Sequence, residues 1–254
     1  MNRRGTPSWY VISLRPRGEH AAMRRAAARH GAGLIALSPW RLVAHDDSRT
    51  RTDLDAALAA PRVVFTSPAA VRAARRLQPF APARGQHWCA VGAGTAAALR
   101  RAGVHEVQAP ARMDSEGLLA LPALQDIAGL DVGLVTAPGG RGEIAPALQA
   151  RGARIRRADV YGRDPVPLQP RGLTQLREAR APLVLALSSG EALQRVLAAL
   201  PPELAATLRR ARVVAASERL RTLARAHGFD EVAVAAGPRP ADLVAAAASG
   251  SMRP

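Results

Sequence analysis

The chain contains no lysine; all 36 of its basic residues are arginine. A lysine Schiff base and the lysine of a phosphate-binding P-loop are therefore excluded. There is a single cysteine, Cys89, inside an apolar stretch. It excludes an internal disulfide and a clustered thiolate metal site, and a buried, inert thiol is expected. Aromatic residues make up 3% of the sequence, too few for the stacking platforms of a single-strand binder. Acidic residues number 20, leaving a net charge of +16. That balance implies an anionic partner or an unspecific basic surface, although a GC-rich coding sequence would enrich arginine and alanine as well. Long apolar runs are missing too. None reaches the length of a membrane span, and Trp9–Leu14, ended by Arg15, is too short for a signal-peptide core. A cytoplasmic protein with no membrane partner is expected.

Several catalytic signatures are absent: G-x-S-x-G, H-E-x-x-H and Walker A do not occur. His20, His30, His45, His87, His105 and His227 are scattered over helix ends and loops without metal-ligand spacing, and read as solvated or capping. No metal site is expected. Asp46-Asp47 lies in a polar stretch and reads as a solvated pair.

What is present is a 48% hydrophobic content, mostly Ala, Leu and Val, cut into short segments of alternating character. Trp9–Leu14, Leu34–Leu37, Arg62–Phe65, Trp88–Val91 and Glu106–Ala109 read as strands. So do Val132–Thr136, Arg154–Tyr161, Leu183–Leu187, Val213–Ala216 and Glu231–Ala235. Between them lie helices of about eight to a dozen residues, including His20–His30, Asp53–Ala60, stopped by Pro61, and Ala69–Leu77. Later helices are expected from Ser115-Glu116-Gly117, at Ile144–Arg151 and at Asp242–Ala248. His45–Thr52 reads as a loop and Asp164–Pro170, with three prolines, as an extended connector. Strands alternating with helices indicate α/β domains with parallel sheets.

The organising stretch is His87–Gly103, an apolar run, a Gly92-Ala93-Gly94 turn and an alanine-rich helix. Its turn leaves backbone N–H groups at a helix N-terminus, which suits an anion. The letters also fit the dinucleotide fingerprint G-x-G-x-x-A, which expects an acidic residue closing the next strand. Here that strand runs into Pro110, and Asp114 lies in a loop beyond it. A nucleotide-binding enzyme and a basic nucleic-acid binder remain alternatives, the second weakened by the dispersal of the arginines.

The stretch occurs twice. Gly103–Val107 (Gly-Val-His-Glu-Val) matches Gly228–Val232 (Gly-Phe-Asp-Glu-Val) at an offset of 125, which also sets Gly92 on Ser217. Phe65–Val71 matches Leu187–Leu193 at an offset of 122, and Arg17-Gly18-Glu19 matches Arg141-Gly142-Glu143 at 124. Three pairings in one order indicate a duplicated unit, and periodicity alone divides it near residue 130.

Candidate functional residues are small hydroxyls placed after strands: Thr66-Ser67, Thr95, Thr136, Ser188-Ser189 and Ser217. In open parallel sheets ligands bind at that edge, although serine and threonine also cap helices routinely. Tyr161 stands just before the proline-rich connector, where a phenol could supply a proton or simply pack.

These residues resemble uroporphyrinogen-III synthases. The likeness is carried by Thr66–Val71, Ala90-Val91-Gly92 with Thr95-Ala96, Ser115–Leu119, Asp159-Val160-Tyr161 and Ala216–Leu220, and it extends from about Val11 to Ala247. The resemblance implies two α/β domains joined by a two-stranded connector. One domain would comprise 9–37 with 168–253 and the other 42–158, with connector strands 38–43 and 159–167. It further implies a cofactor-free cyclisation of the linear tetrapyrrole hydroxymethylbilane, with inversion of its last ring. Tyr161 matches the tyrosine that assists hydroxyl departure. Thr66, Ser67, Gly92 and Thr95 match substrate-binding positions of one domain, and Ser188, Ser189 and Ser217 those of the other. Ser217 stands where many relatives have glycine. Arg15 and Arg141 are added from their loops as carboxylate contacts. A monomer taking a polycarboxylate, handed over transiently by hydroxymethylbilane synthase, completes the expectation.

Overall fold

The structure is a computed structural model, and it describes residues 7–112, 115–139 and 142–251. Its strands are β1 (Tyr10–Ser13), β2 (Gly33–Ala36), β3 (Trp40–Ala44), β4 (Arg62–Phe65), β5 (His87–Ala90) and β6 (Val107–Gln108). They continue with β7 (Asp131–Thr136), β8 (Arg154–Asp159), β9 (Tyr161–Pro165), β10 (Leu183–Leu187), β11 (Arg212–Ala215) and β12 (Val232–Val234). The chain forms two compact units, a central one of Leu42–Arg163 and a terminal one of residues up to Arg41 with those from Asp164 onward. Each is an α/β unit around a five-stranded parallel sheet.

In the central unit the order is β6-β5-β4-β7-β8, and in the terminal unit β12-β11-β10-β1-β2. The strands that the repeat equates, β4 with β10 and β5 with β11, hold the same places in their sheets. The duplication is therefore structural. The remaining two strands of the terminal sheet come from the front of the chain, since β1 pairs with β10 in the register Tyr10↔Leu183. A division near residue 130 would cut between β4 and its partner β7, which pair in the register Phe65↔Val135. Trp40–Ala44 and Tyr161–Pro165 pair as a separate two-stranded sheet where the chain passes between units.

The short apolar runs become strands because helices cover both faces of each sheet, so consecutive residues are buried instead of alternate ones. Val63, Val64 and Phe65 are all fully buried, as are Val213, Val214 and Ala215. Burying a Val or Phe side chain of this kind contributes about 1.5–3 kcal/mol. Phe65 stacks on Trp88 with ring centroids 5.7 Å apart, and Phe80 closes the group at 5.5 Å from both. The matched glycines Gly103 and Gly228 end corresponding helices at φ 96° and 82°. That left-handed backbone, which an L side chain resists, lets the chain turn back to the next strand in both copies.

Four expectations are corrected. The helix expected at Asp53–Ala60 runs Ser48–Leu58, because Asp47 accepts the Thr50 amide at 2.9 Å and starts it in polar sequence. Asp47 is thus a cap, its carboxyl held below the usual range by the Thr50 amide, and Asp46 pairs with Arg51. Helices at Pro170–Glu178 and Pro202–Arg209 begin on prolines, which the first helical position accepts without losing a bond. Arg154–Tyr161 is two strands, broken at Val160.

Candidate functional site

Each sheet reverses strand order once, between β4 and β7 in the central unit and between β10 and β1 in the terminal unit. Beyond the carboxyl ends of strands at such a reversal, neighbouring loops diverge and leave a crevice. Of the hydroxyls singled out in the sequence, Thr66, Ser67 and Thr136 lie at one reversal and Ser188 and Ser189 at the other, while Thr95 and Ser217 follow the next strand over.

In the central unit, Thr66 follows β4 and Thr136 closes β7. Their backbones meet through the Thr66 N–H to Val135 carbonyl bond at 3.2 Å, and the Thr66 hydroxyl donates to the Thr136 hydroxyl at 2.8 Å. Thr136 accepts in this pair, so its own proton is not used in it. Sequence reasoning notices this residue and leaves it out of the binding set, because nothing local says that β4 and β7 are neighbours. Ser67 caps the helix Pro68–Leu77, its oxygen accepting the Ala70 amide at 3.0 Å. The Tyr161 hydroxyl lies 3.1 Å from that same oxygen. Tyr161 is 7% exposed, its ring in the cluster with Phe65, Val71, Val135 and Val160, so packing holds the phenol and only its tip reaches the strand ends.

Gly92 starts the helix Ala93–Arg101 in extended backbone, φ −174°, without a side-chain cap. The Thr95 amide donates to the Gly92 carbonyl at 3.0 Å, and the amides at the very start of the helix, Ala93 and Gly94, are the ones an anion can take. Thr95 is 2% exposed, and little of its surface is left for a ligand. No carboxylate closes β6, which ends at Gln108, so the dinucleotide fingerprint is not completed here. Asp114 lies outside the described residues.

In the terminal unit Ser188 is exposed just past β10, while Ser189 and Ser217 cap helices by accepting the amides of Ala192 at 3.3 Å and Leu220 at 3.4 Å. The register Ser13↔Ala186, carried on two residues, brings Arg15 level with Ser188, as Thr136 is level with Thr66 in the other sheet. Arg15 is half-buried and its Nε donates to the Glu19 carbonyl at 3.0 Å. Arg141 lies outside the described residues.

His20 departs from expectation. It is 8% exposed, with Nδ1 3.0 Å from the Ser13 hydroxyl and Nε2 2.7 Å from the Ser38 hydroxyl. Burial, then the charges of Arg15 and Arg24, lower its pKa to about 4 against the opposing effect of Glu19. It is a neutral link at the foot of the Arg15 loop, neither solvated nor simply capping. The signal missed was Ser13 and Ser38, which a one-residue reading does not connect to a histidine. Cys89 is buried, and burial pushes its thiol up to about 11, which makes it inert as expected.

A groove of about 600 Å³ in the central unit lies apart from these hydroxyls, lined among others by His45, Asp47, Arg49, Asp53, Arg156 and Arg157. Arg157 is held by Asp159, Arg156 by Asp131 and Arg49 by Asp53, so its charge is compensated internally. Among the described residues no three His, Cys, Asp or Glu side chains could hold a metal ion. No helix among them is long and apolar enough to cross a membrane.

Comparison with known proteins identifies the family and the fold. The family model described as Uroporphyrinogen-III synthase HemD matches residues 21–245. A uroporphyrinogen-III synthase of Salmonella typhimurium is 34% identical over 188 residues, covering 73% of this chain and 74% of the relative. Among solved structures, a mutant uroporphyrinogen III synthase of Thermus thermophilus is similar with a TM-score of 0.61 at 19% identity, covering 95% of this chain and 99% of that one. The uroporphyrinogen-III synthetase of Helicobacter pylori also gives a TM-score of 0.61, at 12% identity over 94% and 98% of the two chains. These last two speak to the fold.

Proposed function

The chain belongs to the uroporphyrinogen-III synthase family, and we propose that it closes hydroxymethylbilane with inversion of ring D, using the Tyr161 phenol as proton donor. The observation that carries this reading is the buried tyrosine whose hydroxyl emerges 3.1 Å from Ser67 at the strand-order reversal.

The chemistry divides into binding and proton transfer. The substrate's acetate and propionate arms are met in the central unit by the Thr136 hydroxyl, which Thr66 holds in place, and by the helix N-terminus at Gly92. In the terminal unit Arg15, Ser188, Ser189 and Ser217 offer carboxylate contacts of the same chemistry. Arg141 stays a candidate from its sequence. The terminal hydroxyl departs as its C–O bond breaks, taking the phenol proton and leaving as water. The azafulvene cation so formed is attacked by the substituted carbon of ring D. The spiro intermediate fragments and recloses in the inverted sense, and the proton lost as the ring regains aromaticity restores the phenol. One substrate gives one macrocycle and one water, which makes the enzyme a lyase. In solution the ring closes without inversion, so holding the folded substrate is the larger part of catalysis.

A monomer working where its substrate is made, in the cytoplasm, with transient hand-over from hydroxymethylbilane synthase, fits a reactive substrate and a basic surface. A coupled assay with freshly generated hydroxymethylbilane tests the reading. The type III isomer should dominate, and a product mixture no different from the uncatalysed type I closure would overturn it.

A further inference from the structure

We propose that Ser67 is a positioning residue for Tyr161, donating its proton to the phenol oxygen instead of holding a substrate carboxylate. The inference rests on Tyr161 being the proton donor.

It follows from counting hydrogen atoms. The Ser67 oxygen accepts the Ala70 amide at 3.0 Å, which fixes its place at the start of a ten-residue helix, Pro68–Leu77. One hydroxyl proton and one lone pair remain, and the phenol oxygen is 3.1 Å away. Two arrangements are open. With the phenol donating to Ser67, its proton is committed to the protein and is useless to a departing hydroxyl. With Ser67 donating, the phenol proton is free to leave. Accepting an amide proton makes the Ser67 hydroxyl the better donor.

The reaction itself selects the second arrangement. Once the phenol has given up its proton it can only accept, and Ser67 must donate to it. The bond then becomes charge-assisted and shorter, beside a helix N-terminus that favours negative charge. An interaction that strengthens as charge develops lowers the barrier without tightening substrate binding. The tyrosine ring is buried in the core, so the phenol cannot swing to another donor. The adjacent Thr66 has its proton directed into Thr136, and does not compete.

The test compares Ser67→Ala, Ser67→Asp and Ser67→Thr with Tyr161→Phe and with the double variant Ser67→Ala/Tyr161→Phe in the full chain. A hydrogen bond to a charged group corresponds to roughly 10- to 100-fold in rate. Ser67→Ala should lower kcat by that factor with KM within about twofold. Ser67→Asp retains a helix cap but has no proton to donate, so it should keep the melting temperature yet remain slow, and Ser67→Thr should recover most of the loss. In the Tyr161→Phe background, Ser67→Ala should cost nothing further. A raised KM with kcat preserved would make Ser67 a carboxylate ligand and overturn the proposal. Losses that multiply in the double variant, or a rate restored by Ser67→Asp, would overturn it too, with Tyr161 still the donor. Full turnover in Tyr161→Phe alone would instead remove the proton-donor reading, and this one with it.

Discussion

Between β4 and β7 the described residues of the central unit include the uncharged groups Thr66, Thr136, Ser67 and the Tyr161 phenol, tied in two hydrogen-bonded pairs. Between β10 and β1 the terminal unit presents exposed Ser188 and the charged Arg15, backed by a buried histidine wedged between two serines. The sheets have the same strand order, so the backbone supplies equivalent edges and the side chains differentiate them. A fixed charge suits holding a carboxylate in ground and transition states alike. A neutral phenol beside a hydroxyl donor responds only when a proton moves. Duplication thus provided two equivalent strand edges, and substitution gave them different side chains.

The sharpest test of that division is Tyr161→Phe. Proton donation to a leaving group contributes about 10²–10⁴-fold, so turnover should fall well beyond tenfold while the melting curve and product affinity hold. The type III fraction should fall as well, since unturned substrate closes to type I. A normal isomer ratio and rate would erase the distinction between units.

On the other side, Arg15→Gln should raise KM by roughly tenfold, the worth of a hydrogen bond to a charged group, and leave kcat nearly unchanged. The apparent second-order rate should also lose part of its salt dependence. A fall in kcat matching that of Tyr161→Phe would show that chemistry is not confined to the central unit.

A third contrast is pH. His20 titrates near 4 in the folded chain against 6.5 for the free side chain, so the unfolded chain binds the proton more readily. Stability from the neutral ring is complete above pH 6.5 and is lost as pH falls toward 4. The loss is roughly 2 kcal/mol, smaller than the full shift implies because the ring retains some solvent contact. Urea midpoints should fall over that window, and His20→Asn should flatten the slope. A slope unchanged in His20→Asn would assign the acid sensitivity elsewhere.

The smallest effect belongs to a cap that differs between copies. Ser217 caps its helix, whereas its repeat counterpart Gly92 offers no side chain. Ser217→Gly should cost only a few tenths of a kcal/mol and move the melting temperature slightly. A loss of substrate affinity in addition would give Ser217 a binding role beyond the cap.

Much of the fold is written locally. The strands Arg62–Phe65 and Leu183–Leu187 are legible to the residue, because runs of branched apolar side chains bounded by proline and polar residues have few other uses. The helix Ser48–Leu58 is half legible. Its first turn is all polar, and the cap Asp47 carries information that apolar spacing does not. Pro170–Glu178 is hidden because its proline, met after two others, reads as connector. The hydroxyls at strand ends are visible as a class, yet which of them face a ligand and which hold one another is not.

The sequence by itself determined the alternation of strand and helix, the duplication, the all-arginine charge and the small hydroxyls that follow the strands. Each depends on neighbours a few residues away, through helix and strand periodicity, caps and left-handed glycines. Only the tertiary structure decided that Ser67 meets Tyr161 across 94 residues, Thr66 meets Thr136 across 70, and His20 sits between Ser13 and Ser38. It also decided that β1 completes a sheet with β10. The physical reason is that burial of apolar surface has no direction. A buried strand records in its residues that it will be covered, and nothing in them names the strand that will lie beside it or the side chain that will arrive at its end.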